Sequence, residues 1–256
     1  MRKPHPVFDR NVNPDARVWR YFDFAKFAAF LHDRSLYFSR VDLLGDPLEG
    51  SFTRAYAAQR EAMLQNPPEG RTRQDLEAVF RHNEQILAGT RREGYVNCWH
   101  LGDHESMAMW RGYGGSYGVA IRSTFQRVDQ TIPETFSGPY RQEDIYVGRA
   151  NYIDYSSLTQ RLPNEFNSYG QLMCKSLVYR HENELRALFL DTTARSLEPN
   201  PPVGHHVRVN VEELVEAVVI SPLAPPWFAS VIQRTCSALG FSFNIAGSIA
   251  AGAAVY

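Results

Sequence analysis

The chain is poor in cysteine. Only Cys98, Cys174 and Cys236 occur in 256 residues, an odd number spread far apart. A disulfide framework is excluded as the basis of the fold, and a reducing, cytoplasmic setting is expected. Long apolar runs are missing as well. Met1-Arg2-Lys3-Pro4-His5-Pro6 is followed by no hydrophobic segment, so a signal peptide is not expected. The weakly polar tail 245–255 is too short and too rich in alanine and glycine for a membrane span, which takes roughly 20 apolar residues. No membrane partner is expected. Nor is there an excess of one charge: 27 Lys and Arg against 28 Asp and Glu leave a formal net charge of −1, which argues against a general polyanion-binding surface. There is no G-x-S-x-G elbow, and the glycines of Gly112–Gly118 fit neither the dinucleotide fingerprint nor the phosphate loop.

What is present suits a sizeable core, with 44% hydrophobic residues. Residues 1–17 read as a polar lead-in, and 18–256 as a single α+β domain. The apolar spacing of Phe24, Phe27, Ala28 and Leu31 predicts a helix over Phe24–His32, followed by a strand at Leu36–Ser39. Residues 52–90 read as a polar helical hairpin insertion, with helices over Phe52–Leu64 and Arg73–Ala88 split by Asn66-Pro67-Pro68-Glu69-Gly70. Strands are predicted at Tyr95–His100, Tyr117–Arg122, Glu184–Leu190, His206–Val209, Ala217–Ile220 and Phe241–Ile245, with one or two in Ile145–Tyr155. Further helices are predicted after an Asp103 cap as far as Tyr113, over Phe166–Tyr179, and over Pro226–Leu239. Strands and helices mix without βαβ alternation, which favours a mixed, mainly antiparallel central sheet with flanking helices.

Three segments carry the residue types that do chemistry. In Gly45-Asp46-Pro47-Leu48-Glu49-Gly50 the proline and glycines fix a turn that presents Asp46 and Glu49, unless Asp46 merely caps the next helix. The stretch Asn97–Gly118 gathers Trp99, Trp110, Tyr113 and Tyr117 around His100, His104 and Arg111, a setting for a planar ligand or simply an aromatic core layer. Cys98, His100 and His104 lack a second pair at metal-ligand spacing, so no metal is expected. In Lys175–Arg186, alternation along a strand places Glu182, Glu184 and Arg186 on one face and Leu185 and Phe189 on the other. Two carboxylates held together have their proton affinities pushed apart, which serves acid–base work; a solvated charged face is the alternative.

Several of these motifs recur in one order elsewhere. Trp19-Arg20-Tyr21-Phe22, Leu36-Tyr37-Phe38-Ser39 leading into Asp46-Pro47-Leu48-Glu49, and Ser106-x-x-x-Trp110-x-x-Tyr113 running into Tyr117-Gly118-Val119-Ala120-Ile121 are three of them. Asn151-Tyr152-Ile153-Asp154-Tyr155 and Lys175 followed by Glu182-Asn183-Glu184-Leu185-Arg186 complete the set. From about residue 18 onward the chain resembles the bacterial domain-of-unknown-function family 2971, with Gly45 where that family usually has Asn. It is more distantly similar to ADP-ribosyltransferases, which split the nicotinamide bond of NAD. That similarity implies NAD as substrate and a toxin or phage-defence role. It places Arg20 on the NAD phosphate, Ser39 at the nicotinamide ribose, Glu184 as the catalytic carboxylate on the ribose 2′-hydroxyl and Glu182 as its E-x-E partner orienting the nucleophile, with Tyr21 also among the binding residues. Asp46, Glu49, Trp110, Tyr113, Tyr117, Lys175 and Arg186 are expected around the ligand. Two other readings stand beside this one. The first is a non-catalytic module binding a nucleotide or a partner. The second is a metal-dependent nuclease with a cation among Asp46, Glu49, Glu182 and Glu184.

Overall fold

The computed structural model describes residues 2–138, 142–192 and 200–252. Its centre is a sheet of nine strands: β1 (Arg17–Asp23), β2 (Ser35–Arg40), β3 (Gly94–Leu101), β4 (Gly118–Thr124), β7 (Tyr146–Arg149), β10 (Glu184–Leu190), β11 (Gly204–Arg208), β12 (Ala217–Ile220) and β13 (Ile245–Gly247). A separate ribbon pairs β5 (Thr135–Ser137) with β6 (Gln142–Asp144). The central sheet has the order β11-β2-β3-β1-β4-β12-β13, in which β10 adds to β3 and β7 adds to β10. Every pairing within it is antiparallel except β12 with β13. The class is therefore α+β with a mixed, mostly antiparallel central sheet and flanking helices.

Alternation along the strands divides the core. Val18 and Phe22 of β1, Leu36 and Phe38 of β2, Tyr95 and Trp99 of β3, and Leu185, Ala187 and Phe189 of β10 form one large cluster with Phe27, Phe30 and Leu31 of helix α1 (Phe24–Asp33). The opposite face carries two smaller clusters, one around Val96, Leu188 and Leu190 and one around Trp19, Tyr21 and Trp110. Helix α1 starts where Asp23 accepts from the Lys26 amide and ends at Arg34 in the left-handed region, φ 48°.

Helices α2 (Arg54–Gln65) and α3 (Arg73–Glu93) form the polar hairpin, capped by Thr53 and by a Thr72–Asp75 capping box. Few of their residues are buried, Ala55 and Tyr56 in α2 and Leu76, Leu87, Thr90 and Glu93 in α3. The segment ahead of β1 packs on the domain: Arg2 is buried and donates to the carbonyl oxygen of Ile132 (2.7 Å) and to Asp129 Oδ1 (2.9 Å).

Three expected elements differ. Ser106, not Asp103, caps the short helix α4 (Met107–Met109), because its hydroxyl faces the Met109 amide while Asp103 offers only its carbonyl, to Arg17. The helix expected over Phe166–Tyr179 is only α6 (Ser168–Leu172), α5 being Phe125–Thr131. Beyond it, Cys174–Ser176 becomes strand β9, paired in parallel with β8 (Asn151–Ile153), and Leu177–Glu182 is a 3-10 turn. Pairing with β8 satisfies that backbone in place of helical bonds. The last strand lies at Ile245–Gly247 rather than Phe241–Ile245, because Phe241 is spent filling the core behind the helix Phe228–Ala238.

Candidate functional site

A fork in the sheet makes the site. β10 occupies one edge of β3 along its whole length, from Glu184 opposite His100 to Leu190 opposite Gly94. On the other edge β1 pairs only at Val18–Leu101 and Trp19–His100, and β2 only at Ser39–Val96 and Arg40–Tyr95. Between them Asn97, Cys98 and Trp99 have no strand partner on that side. Side chains take over its polar groups. Arg20 Nη1 donates to the Cys98 carbonyl oxygen (2.6 Å), and the buried Asn97 donates from Nδ2 to the Tyr37 carbonyl oxygen (2.9 Å). Buried backbone groups need such partners, so the fork is a built feature.

A cavity of about 590 Å³ fills this fork, within the range of small-molecule sites. Its aromatic wall comes from Tyr21 and Phe22 of β1, Phe30 of α1, Tyr37 of β2 and Trp99 of β3. Its charged wall comes from Lys175 of β9 and Glu182 and Glu184 around β10. Arg20 and Ser39 also line it, as do His100, Cys98 and Tyr113.

The charged wall is a ladder of alternating sign. Lys175 Nζ contacts Glu182 Oε2 and lies 2.9 Å from Glu184 Oε1. Arg186 Nε lies 2.6 Å from Glu184 Oε2, its Nη1 donates to the Leu172 carbonyl oxygen (2.6 Å), and its Nη2 contacts Glu49. Tyr113 donates its hydroxyl to Glu182 Oε1 (2.7 Å), and the Glu184 amide donates to the Tyr152 hydroxyl oxygen (2.9 Å). These carboxylates do not form a solvated face: Glu182 is 2% and Glu184 6% exposed. Nor are both on one strand. Glu182 ends the 3-10 turn, and Asn183, left-handed at φ 38°, turns the chain so that one lysine reaches both glutamates. Asn is among the residues that enter this region most readily.

The two glutamates are tuned apart. Burial raises Glu184, but the Arg186 and Lys175 charges outweigh it and hold the carboxyl far below the usual range, so it stays ionised. Burial and then its neighbour Glu184 push Glu182 up to about 7, only partly offset by Lys175. Arg20 differs from the ladder cations. Burial lowers it to about 10, so it remains charged at neutral pH, yet among the described residues it has no carboxylate within ion-pair distance. Its Nε is buried without a hydrogen-bond partner. His100 is held neutral by burial and donates from Nδ1 to the Glu182 carbonyl oxygen (2.7 Å), leaving Nε2 as an acceptor. Cys98 is pushed up to about 12 by burial, which makes it a poor nucleophile.

Arg20, Tyr21, Ser39, Tyr113, Lys175, Glu182 and Glu184 thus share one cavity, and five other expected residues lie off its wall. Arg186 and Glu49 stand behind Glu184, wholly buried. Asp46 accepts from the amides of Leu48 (2.9 Å) and Ser176 (3.2 Å), stitching its turn to β9 and capping no helix. Trp110 is a core residue, edge-on to Tyr21 at 4.9 Å, with Nε1 donating to Glu105 (2.6 Å). Tyr117 is half exposed and meets Trp227 and Phe228 away from the cavity. The glycines beside it serve packing: a Cβ on Gly118 would sit 2.6 Å from the Gly114 backbone.

Tyr152 and Asn183 were not singled out as site residues, although both lie inside motifs quoted above; a lone Asn between two glutamates is the signal for the turn. Asp46, Glu49, Glu182 and Glu184 are each engaged by a protein amide or cation, and Asp46 and Glu49 lie off the cavity that Glu182 and Glu184 line. Among the described residues no group of three or more His, Cys, Asp or Glu could hold a metal ion. No helix among them is long and apolar enough to cross a membrane. No protein-family model, curated protein or solved structure matches the chain.

Proposed function

We propose that the cavity binds a nucleotide and breaks its glycosidic bond, with NAD as substrate and nicotinamide as leaving group. The observation that carries this reading is the pairing of opposites in one cavity: an ionised Glu184 fixed at both oxygens, and a cationic Arg20 with no anion of its own. An anion held rigidly at a wall stabilises an oxocarbenium-like centre because its position costs nothing at the moment of reaction. Arg20 keeps Nη1 on Cys98 while its half-buried guanidinium lines the cavity, where its charge attracts a phosphate. The aromatic wall suits the flat pyridine and purine rings. Glu182, balanced near neutrality, takes the proton of the attacking hydroxyl as that oxygen bonds to the ribose carbon. The electron pair of the broken bond leaves on the nicotinamide nitrogen, whose positive charge it cancels. Such a reaction would drain a cell of NAD, in keeping with a toxin or phage-defence role.

The test is nicotinamide release from NAD by the wild-type chain and by Glu184→Gln. Release should fall at least about 100-fold in the variant while its far-ultraviolet dichroism stays unchanged. Equal release by the two proteins ends the proposal. A non-catalytic nucleotide-binding module is the second reading, favoured by the fact that every carboxylate oxygen of Glu182 and Glu184 already has a protein partner. Thermal stabilisation by NAD without turnover selects it.

A further inference from the structure

Glu49 never reaches the cavity, yet it is buried as completely as any residue in the chain and touches Arg186. The ladder it begins runs Glu49, Arg186, Glu184, Lys175, Glu182: three carboxylates and two cations in unbroken contact. With all five charged, a buried strip would carry one negative charge in excess, and low-dielectric surroundings disfavour that. One proton relieves it. The centre of the ladder is a poor place for that proton, because Glu184 lies between two cations, so it belongs to the ends.

We propose that the Gly45–Gly50 turn is the remote half of a proton-sharing device, in which Glu49 sets how readily Glu182 holds a proton by acting through Arg186, Glu184 and Lys175. Glu49 is a positioning residue in this scheme, and only Glu182 faces the ligand. The turn is built to hold it. Gly50 adopts φ +67°, where a side chain would be strained and would press on Arg91 and Leu172. Asp46 ties the same turn to the Ser176 amide, next to Lys175. Glu49 and the β9 segment that carries Lys175 are thus anchored to one six-residue turn.

The charged and titratable groups around each end are few. Facing Glu182 are Lys175 from β9, Glu184 from β10, Tyr113 from the turn after α4, and His100 from β3, which is neutral and bonded to the Glu182 carbonyl. Facing Glu49 are Arg186 and Glu184 from β10 and Lys175 from β9, with Cys98 and Tyr155 within electrostatic reach. Burial raises Glu49 as it raises Glu182, the direction expected of two ends competing for one proton.

The experiment is a ¹³C-carboxyl NMR titration of the full chain, with Glu182→Gln and Glu49→Gln used to assign the two signals. In the wild type the Glu49 and Glu182 carbons should titrate together, each showing two linked steps. Glu49→Gln mimics the protonated end, so Glu182 should ionise more easily, its midpoint falling by about one pH unit or more. Independent single-step titration of the two carbons in the wild type overturns the proposal whether or not the variant folds. An unmoved Glu182 midpoint in a folded Glu49→Gln chain also overturns it. The link to catalysis rests on the NAD reading: if the wild type releases nicotinamide, the acid limb of its pH–rate profile should shift with the Glu182 midpoint. No release at any pH removes the NAD reading but leaves the titration result standing.

Discussion

Along the β9–β10 wall every charged side chain meets a partner of opposite sign, whereas across the fork Arg20 faces the same cavity with only the Cys98 carbonyl oxygen and the Phe22 ring beside it and no carboxylate in ion-pair contact. Both walls bury charge, but they settle the desolvation cost in different places. The ladder offsets it inside the fold, which makes that wall rigid and complete before any ligand arrives. The Arg20 wall leaves it unsettled, so an incoming anion supplies what the chain does not. One wall should thus matter to stability and the other to binding.

The largest effect that could break this contrast is on folding. Arg186→Met leaves Glu184 and Glu49 facing each other in the core without their shared cation, and should cost about 3–5 kcal/mol in urea denaturation. Arg20→Met removes a cation that already lacks a counter-ion, and should change stability by less than about 1 kcal/mol. A similar loss in the two variants would erase the distinction. Next in size is ligand affinity, measured for NAD by calorimetry. Arg20→Met should weaken binding at least about tenfold through the lost charge-assisted hydrogen bond. Unchanged affinity would mean that Arg20 does not contact the ligand.

The smallest effect sharpens the description of the ladder itself. Glu182 is raised in the folded chain from an ordinary 4.5 to about 7, so the folded state holds a proton that the unfolded state releases between those values. The stability this contributes is complete below pH 4.5 and is lost as pH rises through about 7. Glu184 is shifted the other way, so its contribution is present above the ordinary carboxylate range and disappears only in more acid solution. Relative to Glu182→Gln, the wild type should therefore lose about 1–3 kcal/mol between pH 4.5 and 7.5. A pH-independent difference between the two would show that no proton is held there.

Much of the architecture was legible because alternation and caps are local. The strand Glu184–Leu190 and helix α1 follow from spacing alone, and so do the two hairpin helices, to within a few residues. Segments whose conformation is decided by a distant partner were not. Cys174–Ser176 continues a helical pattern and is a strand only because β8 lies beside it. For the site, residue type pointed to Glu182, Glu184 and Lys175, while Arg20 entered only through the similarity to ADP-ribosyltransferases. Residue type could not say that Glu49 and Arg186 stand one layer behind, nor that Trp110 and Tyr117 face elsewhere. Depth from a cavity wall is a property of packing, and a pattern along the chain carries no measure of it.

The fork has one more consequence. Among the described residues no backbone pairing joins the β2–β11 half of the sheet directly to the β1–β4–β12–β13 half; both hang from β3. A ligand lying between Tyr21 and Tyr37 would touch both halves at once and fix the angle between them, as a keystone fixes the two limbs of an arch. Occupancy of the cavity would then be felt at the far rims, at β11 and β13, without either rim touching what is bound.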